Sequence, residues 1–418
     1  MADQAPPEQC AADTGSSGNA GEHGQAARSD AAAQQPSRRP GGRCITDTAA
    51  SPDADCRNTA GPPGPPAGAP SLRAAPFHRQ AFAAIDLGTN NCRLLIARPA
   101  GDHFTVVDAF SRVVRLGEGL AQTGRLSDAA MDRTIAALQV CSDKLKRRNV
   151  HLARSVATEA CRRAANGAEF IARAAAETGI LLDIISAEEE ARLAVVGCHL
   201  LLEAGDGPAI IFDIGGGSTE VVLVESRQGQ IPHIHDWLSV PWGVVSLTES
   251  CASEPADALG RAARYDQMCA LVRASLAPFA QRMTSAIARS APGHKLRLLG
   301  TSGTVTTLAS LHLELPQYDR RAVDGLMVPR DAMAQLCERL ALMTPEQRRA
   351  QPCIGRERAD LVVAGCAILQ AIFDLWPADQ LGVADRGIRE GILRSLMSAG
   401  GAGEKSRAAL RQAKRGMT

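Results

Sequence analysis

Apolar residues recur along most of this chain in short runs separated by polar turns, and one such pattern occurs twice. Ile210-Ile211-Phe212 leads into Asp213. Gly215-Gly216-Gly217-Ser218-Thr219 and Glu220 follow, and a second apolar run, Val221–Val224, begins at once. Runs of this length, rich in β-branched residues, predict strands, so the stretch reads as a β-hairpin with glycines at its tip. Phe82-Ala83-Ala84-Ile85-Asp86-Leu87-Gly88-Thr89-Asn90-Asn91-Cys92-Arg93-Leu94 repeats it without a gap, 127 residues earlier. Asp86 falls on Asp213, Gly88 on Gly215 and Asn91 on Ser218. Two copies in register predict a duplicated unit whose turns form a facing pair.

Helical spacing appears between the copies. Met131, Ile135, Leu138 and Leu145 predict a helix over 128–148, with Ser127 or Asp128 as its cap. A strand at Ser155-Val156-Ala157, a helix ending before Gly179, a strand over 180–185 and a helix from Ser186 to about Leu202 complete the first half. After the second hairpin the pattern predicts a strand near 237–240, a long helix over about 258–289 and a strand over 295–299 running into a helix at Gly303. Further helices are expected over 331–342 and 360–373, and a closing unit over 382–393. Strands alternating with helices give an α/β class.

Residues 1–76 are different material. Ile45 and Leu72 are their only Ile, Leu, Val or aromatic residues, so the segment cannot bury enough surface to offset its ordering entropy. The expected organisation is a disordered Ala/Gly/Pro-rich extension over 1–78, with Gly61–Pro70 as a stiff spacer. Two domains follow at 79–204 and 205–395, and a mobile basic tail at 396–418. With 46 basic against 45 acidic residues the chain is not a dedicated nucleic-acid binder. No apolar run reaches the roughly 18–20 residues of a membrane span, and the extension lacks the apolar region of a signal peptide. The twelve cysteines make no C-x-x-C pair, so reduced thiols and a cytoplasmic protein are expected.

The glycine turns carry the chemistry. Glycine lets backbone N–H groups converge on one point, which is how a loop cradles phosphate oxygens. A third candidate, Gly300-Thr301-Ser302-Gly303-Thr304, opens a helix, where amides and dipole favour anions. Asp86, Asp213 and Glu220 are hard oxygen donors of the kind magnesium takes beside substrate phosphates. At Ser186-Ala187-Glu188-Glu189-Glu190, Ser186 and Glu189 form a capping box and Glu188 suits the helix start, which leaves Glu190 as a candidate base for water. Arg162, after the turn at Thr158, is suited to pair with phosphate.

Taken in order, Ala84–Asn90, Ala157–Arg162, Ile185–Arg192 ending in Glu-Glu-Ala-Arg, Asp213–Glu220, Gly300–Thr304 and Arg389-Glu390-Gly391 resemble the exopolyphosphatase/guanosine pentaphosphate phosphatase family. That resemblance covers about residues 80–395. It implies two ribonuclease-H-like domains of the actin, heat-shock chaperone ATPase and sugar kinase superfamily, with the active site in the cleft between them. By position, Glu190 resembles the catalytic glutamate and Arg162 the phosphate-holding arginine. Asp213 and Glu220 resemble the magnesium and water-positioning acids. Gly215, Gly216, Gly217, Ser218 and Thr219, with Asp86, Gly88, Thr89 and Asn90, resemble the two phosphate loops, and Gly300, Thr301, Ser302 and Gly303 a third binding segment. The reaction implied is hydrolysis of a terminal phosphoanhydride with Mg2+.

The substrate expected is inorganic polyphosphate, since no base-stacking aromatic stands near the motifs. Guanosine pentaphosphate is the alternative, and a small-molecule kinase or a non-catalytic nucleotide switch on the same fold are more remote. The family's long members carry a further C-terminal helical domain for which no room remains here. The family's usual homodimer, to which that domain contributes, stands as an expectation of the resemblance alone.

Overall fold

Both glycine hairpins form, and they form in the same register. In the computed structural model, which describes residues 79–399 apart from 102, 203, 206, 227–230 and 291–294, strand β1 (Ala81–Leu87) pairs antiparallel with β2 (Asn91–Ala100), setting Asp86 opposite Arg93. Strand β6 (Gly207–Ile214) pairs with β7 (Thr219–Ser226) and sets Asp213 opposite Glu220. Each turn is closed by the same bond at the same length: Gly88 N–H donates to the carbonyl of Asn91, and Gly215 N–H to that of Ser218, both at 2.9 Å. The extension over 1–78 with its Gly61–Pro70 spacer, and the tail from 400, lie outside the described residues.

The duplication extends to whole sheets. In the first, β3 (His103–Val113), β2, β1, β4 (Val150–Ala157) and β5 (Leu182–Ile184) lie in that order, with β1, β4 and β5 parallel. The second runs β8 (His233–Val240), β7, β6, β9 (Arg297–Thr301) and β11 (Gln380–Ala384), again with the last three parallel, and adds an antiparallel edge strand, β10 (Met327–Pro329). β3 and β10 escaped the sequence pattern. β3 carries no buried residue, so its alternation has no clean apolar face to read, and β10 is three residues long.

Helices cover the sheets in turn. Among them are α1 (Asp128–Arg147), α2 (Glu159–Arg163), α3 (Gly167–Thr178), α4 (Ala187–Cys198), α5 (Ala258–Ser290), α6 (Gly303–His312), α7 (Arg330–Leu342), α8 (Val362–Leu375) and α9 over 388–399. Ser127 caps α1 by accepting the amide of Ala130. Ser186 caps α4 by accepting that of Glu189. The reciprocal half of the expected capping box is missing, because the Glu189 carboxylate turns instead to Arg154 and Arg192. The largest apolar core lies in the second half of the chain, where α5, α6, α7 and α8 cover the sheet with Phe212, Phe279, Leu298, Ile368 and Phe373 fully buried or nearly so.

Two helices join the halves. α4 is buried on two sides. Leu193 and Ala194 pack with Phe82, Ala84, Leu95 and Val156 of the first sheet, while Ala191, Val195 and Cys198 pack with Ile211, Val222 and Leu299 of the second. α9 is last in chain order, yet Ile388, Ile392 and Leu393 bury themselves in the Phe82–Val156 cluster of the first sheet. The expected mobile tail from 396 therefore begins inside a helix that runs to 399.

Because Ile392 is fully buried there, Ile392→Ala should destabilise the protein by about 2–5 kcal/mol. Leu259→Ala, at a surface position, should stay within about 0.5 kcal/mol of wild type. Urea unfolding measures both. A small effect of the first substitution would show that α9 is not a working part of the fold.

Candidate active site

The hairpin tips meet. A Cβ on Gly217 would stand 2.5 Å from the Thr89 hydroxyl oxygen, and one on Gly216 would stand 3.0 Å from the Thr89 Cβ and 3.1 Å from the Asn90 amide nitrogen. Glycine is needed at both positions because Thr89 and Asn90 of the first loop occupy the space a Cβ would take. Beside this contact a cavity of about 120 Å3 is walled by Asp86, Gly88, Thr89 and Asn90 from the first hairpin, and by Asp213, Gly215, Gly216, Gly217, Ser218 and Glu220 from the second. Glu190, from the start of α4, and Ser302 and Gly303, at the start of α6, complete the set.

Four of the residues singled out in the sequence do not line this cavity. The Thr219 hydroxyl donates to the carbonyl of Trp242 at 2.6 Å. Gly300 lies under Phe212, where a Cβ would stand 2.6 Å from the ring. Thr301 donates to the carbonyl of Arg386 at 2.8 Å and faces an adjoining chamber. Arg162 stands behind Glu190 rather than in the wall. Its Nε and Nη2 donate to Glu159 at 3.1 and 2.6 Å, and its Nη1 donates to Glu190 at 3.1 Å and to the carbonyl of Ile185 at 2.8 Å.

Ser302 is held in an unusual way. Its backbone has φ 132° and ψ 171°, a region that side chains rarely adopt, while its hydroxyl accepts the amides of Thr304 and Val305 and so caps α6. Strain of about 1–3 kcal/mol is retained at such a position when the surroundings fix it.

Negative charge crowds the centre. Burial and the neighbouring Glu220 push the Glu190 carboxyl well above its usual range, against the pull of Arg162. Burial and Asp213 raise Glu220 to about 7 although Ser218 and Ser239 both donate to it. Burial lifts Asp213 to about 6, with Arg93 opposing, and also raises Asp86. Buried acids in this state are short of cationic partners. Among the described residues no group of three His, Cys, Asp or Glu is set to hold a metal. A magnesium ion that keeps its waters and leans on substrate phosphates needs only one or two carboxylates, and Asp213 with the free oxygen of Glu220 fits that demand.

Two cations of the site were not read from the sequence. Arg93 and Arg358 line the cavity, and neither forms an ion pair with a carboxylate among the described residues. Burial and the nearby charge of Arg93 push the Arg358 guanidinium down. Two guanidiniums that line one cavity with no direct ion pair keep their donors available to an anion. The duplication did hold a signal for one of them, since Arg93 occupies the position that Glu220 occupies in the second hairpin. Arg358 lies in an irregular loop that carries none. Beyond them opens a second chamber of about 420 Å3, which shares Asp86, Arg93, Asp213, Ser302 and Arg358 with the first and adds Tyr318, Arg386 and Arg389. Tyr318 is the aromatic that linear sequence did not place near the motifs.

A family model described as the Ppx/GppA phosphatase family matches residues 95–399. The chain belongs to that family. It is 33% identical over 327 residues to exopolyphosphatase 2 of Mycobacterium tuberculosis, covering 75% of this chain and 98% of that protein. It is also 30% identical over 323 residues to the guanosine-5'-triphosphate,3'-diphosphate pyrophosphatase of Aeromonas hydrophila, where the match covers 76% of this chain and 59% of that longer protein. The crystal structure of the Aquifex aeolicus family member aligns with a TM-score of 0.62 at 27% identity, over 77% of this chain and 98% of that one. Like those relatives, this family member has an α/β fold with two sheets, and no described helix is long and apolar enough to cross a membrane.

The raised acids set a pH dependence. A carboxyl whose pKa is higher in the folded state binds protons more tightly there, so it costs stability as pH rises from about 4.5 towards about 7, and the cost is constant above. Glu220→Gln should therefore gain stability relative to wild type across that interval, in the absence of divalent ions. Added Mg2+ should raise the melting temperature of wild type at pH 8 more than that of Asp213→Asn. Equal shifts in the two proteins would remove Asp213 from the cation site.

Proposed function

We propose that this protein is a phosphoanhydride hydrolase which removes the terminal phosphate of inorganic polyphosphate, working in the cleft of two ribonuclease-H-like units of the actin and sugar kinase superfamily. The observation that carries this reading is Glu190. It is a carboxylate only 6% exposed, kept basic by burial and by Glu220, at the edge of a cavity between two like glycine loops. A name borne by relatives, exopolyphosphatase, agrees with it.

The loop amides of 89–90 and 216–218, left over once the Gly88 and Gly215 amides have closed their turns, would hold the terminal phosphoryl group as a glycine loop does for any phosphate. Arg93 and Arg358 would take the next phosphates, since both line the cavity and neither has a direct ion pair among the described residues. Glu190 would orient a water and accept its proton as the oxygen attacks phosphorus. The bridging P–O bond then breaks and leaves orthophosphate and a chain one unit shorter. A magnesium ion at Asp213 and Glu220 would supply charge neutralisation on the phosphate oxygens. Most of the catalysis in this scheme is placement and charge.

A second reading, removal of the 5'-terminal phosphate of guanosine pentaphosphate, is favoured by the second chamber. Its volume of about 420 Å3 falls in the roughly 300–1,000 Å3 range of small-molecule pockets, and Tyr318, 44% exposed, offers a ring to a base. A kinase reading gains no comparable support.

Orthophosphate release with Mg2+ should be fast from long polyphosphate, compared with guanosine pentaphosphate and ATP at equal concentrations of terminal phosphate. Preference for the guanosine nucleotide would select the second reading, and no release from any of them would overturn both. Glu190→Gln should lower kcat by about 10²–10⁴-fold with polyphosphate binding kept. Arg93→Ala and Arg358→Ala should each raise KM by on the order of tenfold or more, the scale of a lost charged hydrogen bond, and leave kcat less affected.

A further inference from the structure

We propose that Glu159 is a positioning residue for the hydrolytic reaction, holding Arg162 as a strut that fixes the carboxylate of Glu190 from behind. This rests on the reading of Glu190 as the base. It departs from the role that resemblance gives Arg162, which is to grip phosphate.

The geometry is a chain of bonds with no slack. Glu159 is the first residue of α2 and Arg162 lies three residues on, on the same face of that short helix. One carboxylate oxygen of Glu159 takes both Nε and Nη2 of Arg162, at 3.1 and 2.6 Å. The remaining terminal nitrogen, Nη1, reaches the Ile185 carbonyl at 2.8 Å and Glu190 at 3.1 Å. Ile185 directly precedes Ser186, the cap of α4, so one guanidinium ties together α2, the entry to α4 and the candidate base. Every edge of the planar fork is in use, and a fork so engaged defines direction as well as distance.

Glu159 also touches the opposite hairpin. Its Cγ stands 3.1 Å from where a Cβ on Gly217 would be, and its side chain lines the cavity beside the second phosphate loop. The strut is therefore braced at one end by the loop that would hold the reacting phosphoryl group and delivers Glu190 at the other. The second oxygen of Glu159 lies 3.8 Å from Arg163, too long for a hydrogen bond, so Arg162 is its one hydrogen-bonded partner among the described residues. Removing the Glu159 carboxylate would leave the Arg162 fork with one anchored edge. Glu190 would then lose its fixed orientation, while the two glycine turns keep their own closing bonds. A misplacement of about 1 Å is enough to cost about 10²-fold in rate.

The test is a double-mutant cycle on orthophosphate release, with circular dichroism and urea unfolding to establish that each variant folds. Glu159→Ala should lower kcat by about 10²-fold with KM within about twofold of wild type, and Glu159→Gln, which keeps an acceptor for the fork, should recover a large part of the loss. Arg162→Ala should act on kcat in the same way. The double variant should be no worse than Arg162→Ala alone, because both break one strut. In the Glu190→Gln background Glu159→Ala should have no further effect. Additive losses, or a loss confined to stability, would overturn the strut. A rise in KM on Arg162→Ala with kcat preserved would return that residue to phosphate binding. Should Glu190→Gln itself keep wild-type turnover, it is the assignment of the base that fails.

Discussion

Two backbone turns in direct contact set the terms for everything else in this protein. Thr89 fills the space beside Gly216 and Gly217 so closely that neither glycine has room for a Cβ, and the contact fixes how the two sheets face one another. Since each turn is locked internally by a glycine amide and a carbonyl three residues on, the amides between are not used in closing it. The proposed phosphate site rests on this approach, with side chains serving to tune it.

Charge is the second consequence. The β-hairpin register sets Asp86 against Arg93 in one copy and Asp213 against Glu220 in the other. One half thus presents an acid and a base across its strands and the other presents two acids. With Glu190 added, the cleft holds four carboxyls, Glu190 and Glu220 buried and Asp86 and Asp213 half-buried, each held above its ordinary range. Arg93 lowers both Asp86 and Asp213, while Arg162 serves Glu190 and Glu220. The imbalance agrees with the proposed binding of a cation and a polyanion, in which the missing charge would arrive with the ligands. It costs stability when they are absent.

The joining helices explain how such a site stays assembled. α4 packs one side on each sheet, so the residue at its start, Glu190, is located relative to both phosphate loops at once. α9 returns to the first sheet and brings Ile388 and Arg389 to the cleft. Glu390, buried and bonded to Arg320 and to the amide of Gly387, closes the turn that delivers it. Glu190 and Ile388 are therefore held by helices that belong to neither sheet alone.

The duplicated hairpins, the helix caps at Ser127 and Ser186, and the isolation of Glu190 from capping duties were legible in the chain, because each depends on neighbours within a few residues or on a pattern repeated without a gap. The capping box was half right, since Glu189 has long-range partners that local spacing does not reveal. Arg93 was hidden in the register of its own hairpin. Arg358 and Tyr318 had no local signal at all, because loops carry no period and their positions depend on which strands and helices surround them. The posture of Arg162 was likewise out of reach. A run of residues specifies that an arginine follows a glutamate by three positions, but whether it points at a ligand or at another side chain depends on what the rest of the molecule places within reach of its fork. Sequence alone determined the repeat and the chemistry of its turns; the tertiary structure decided which charges face each other, because that depends on packing between segments far apart in the chain.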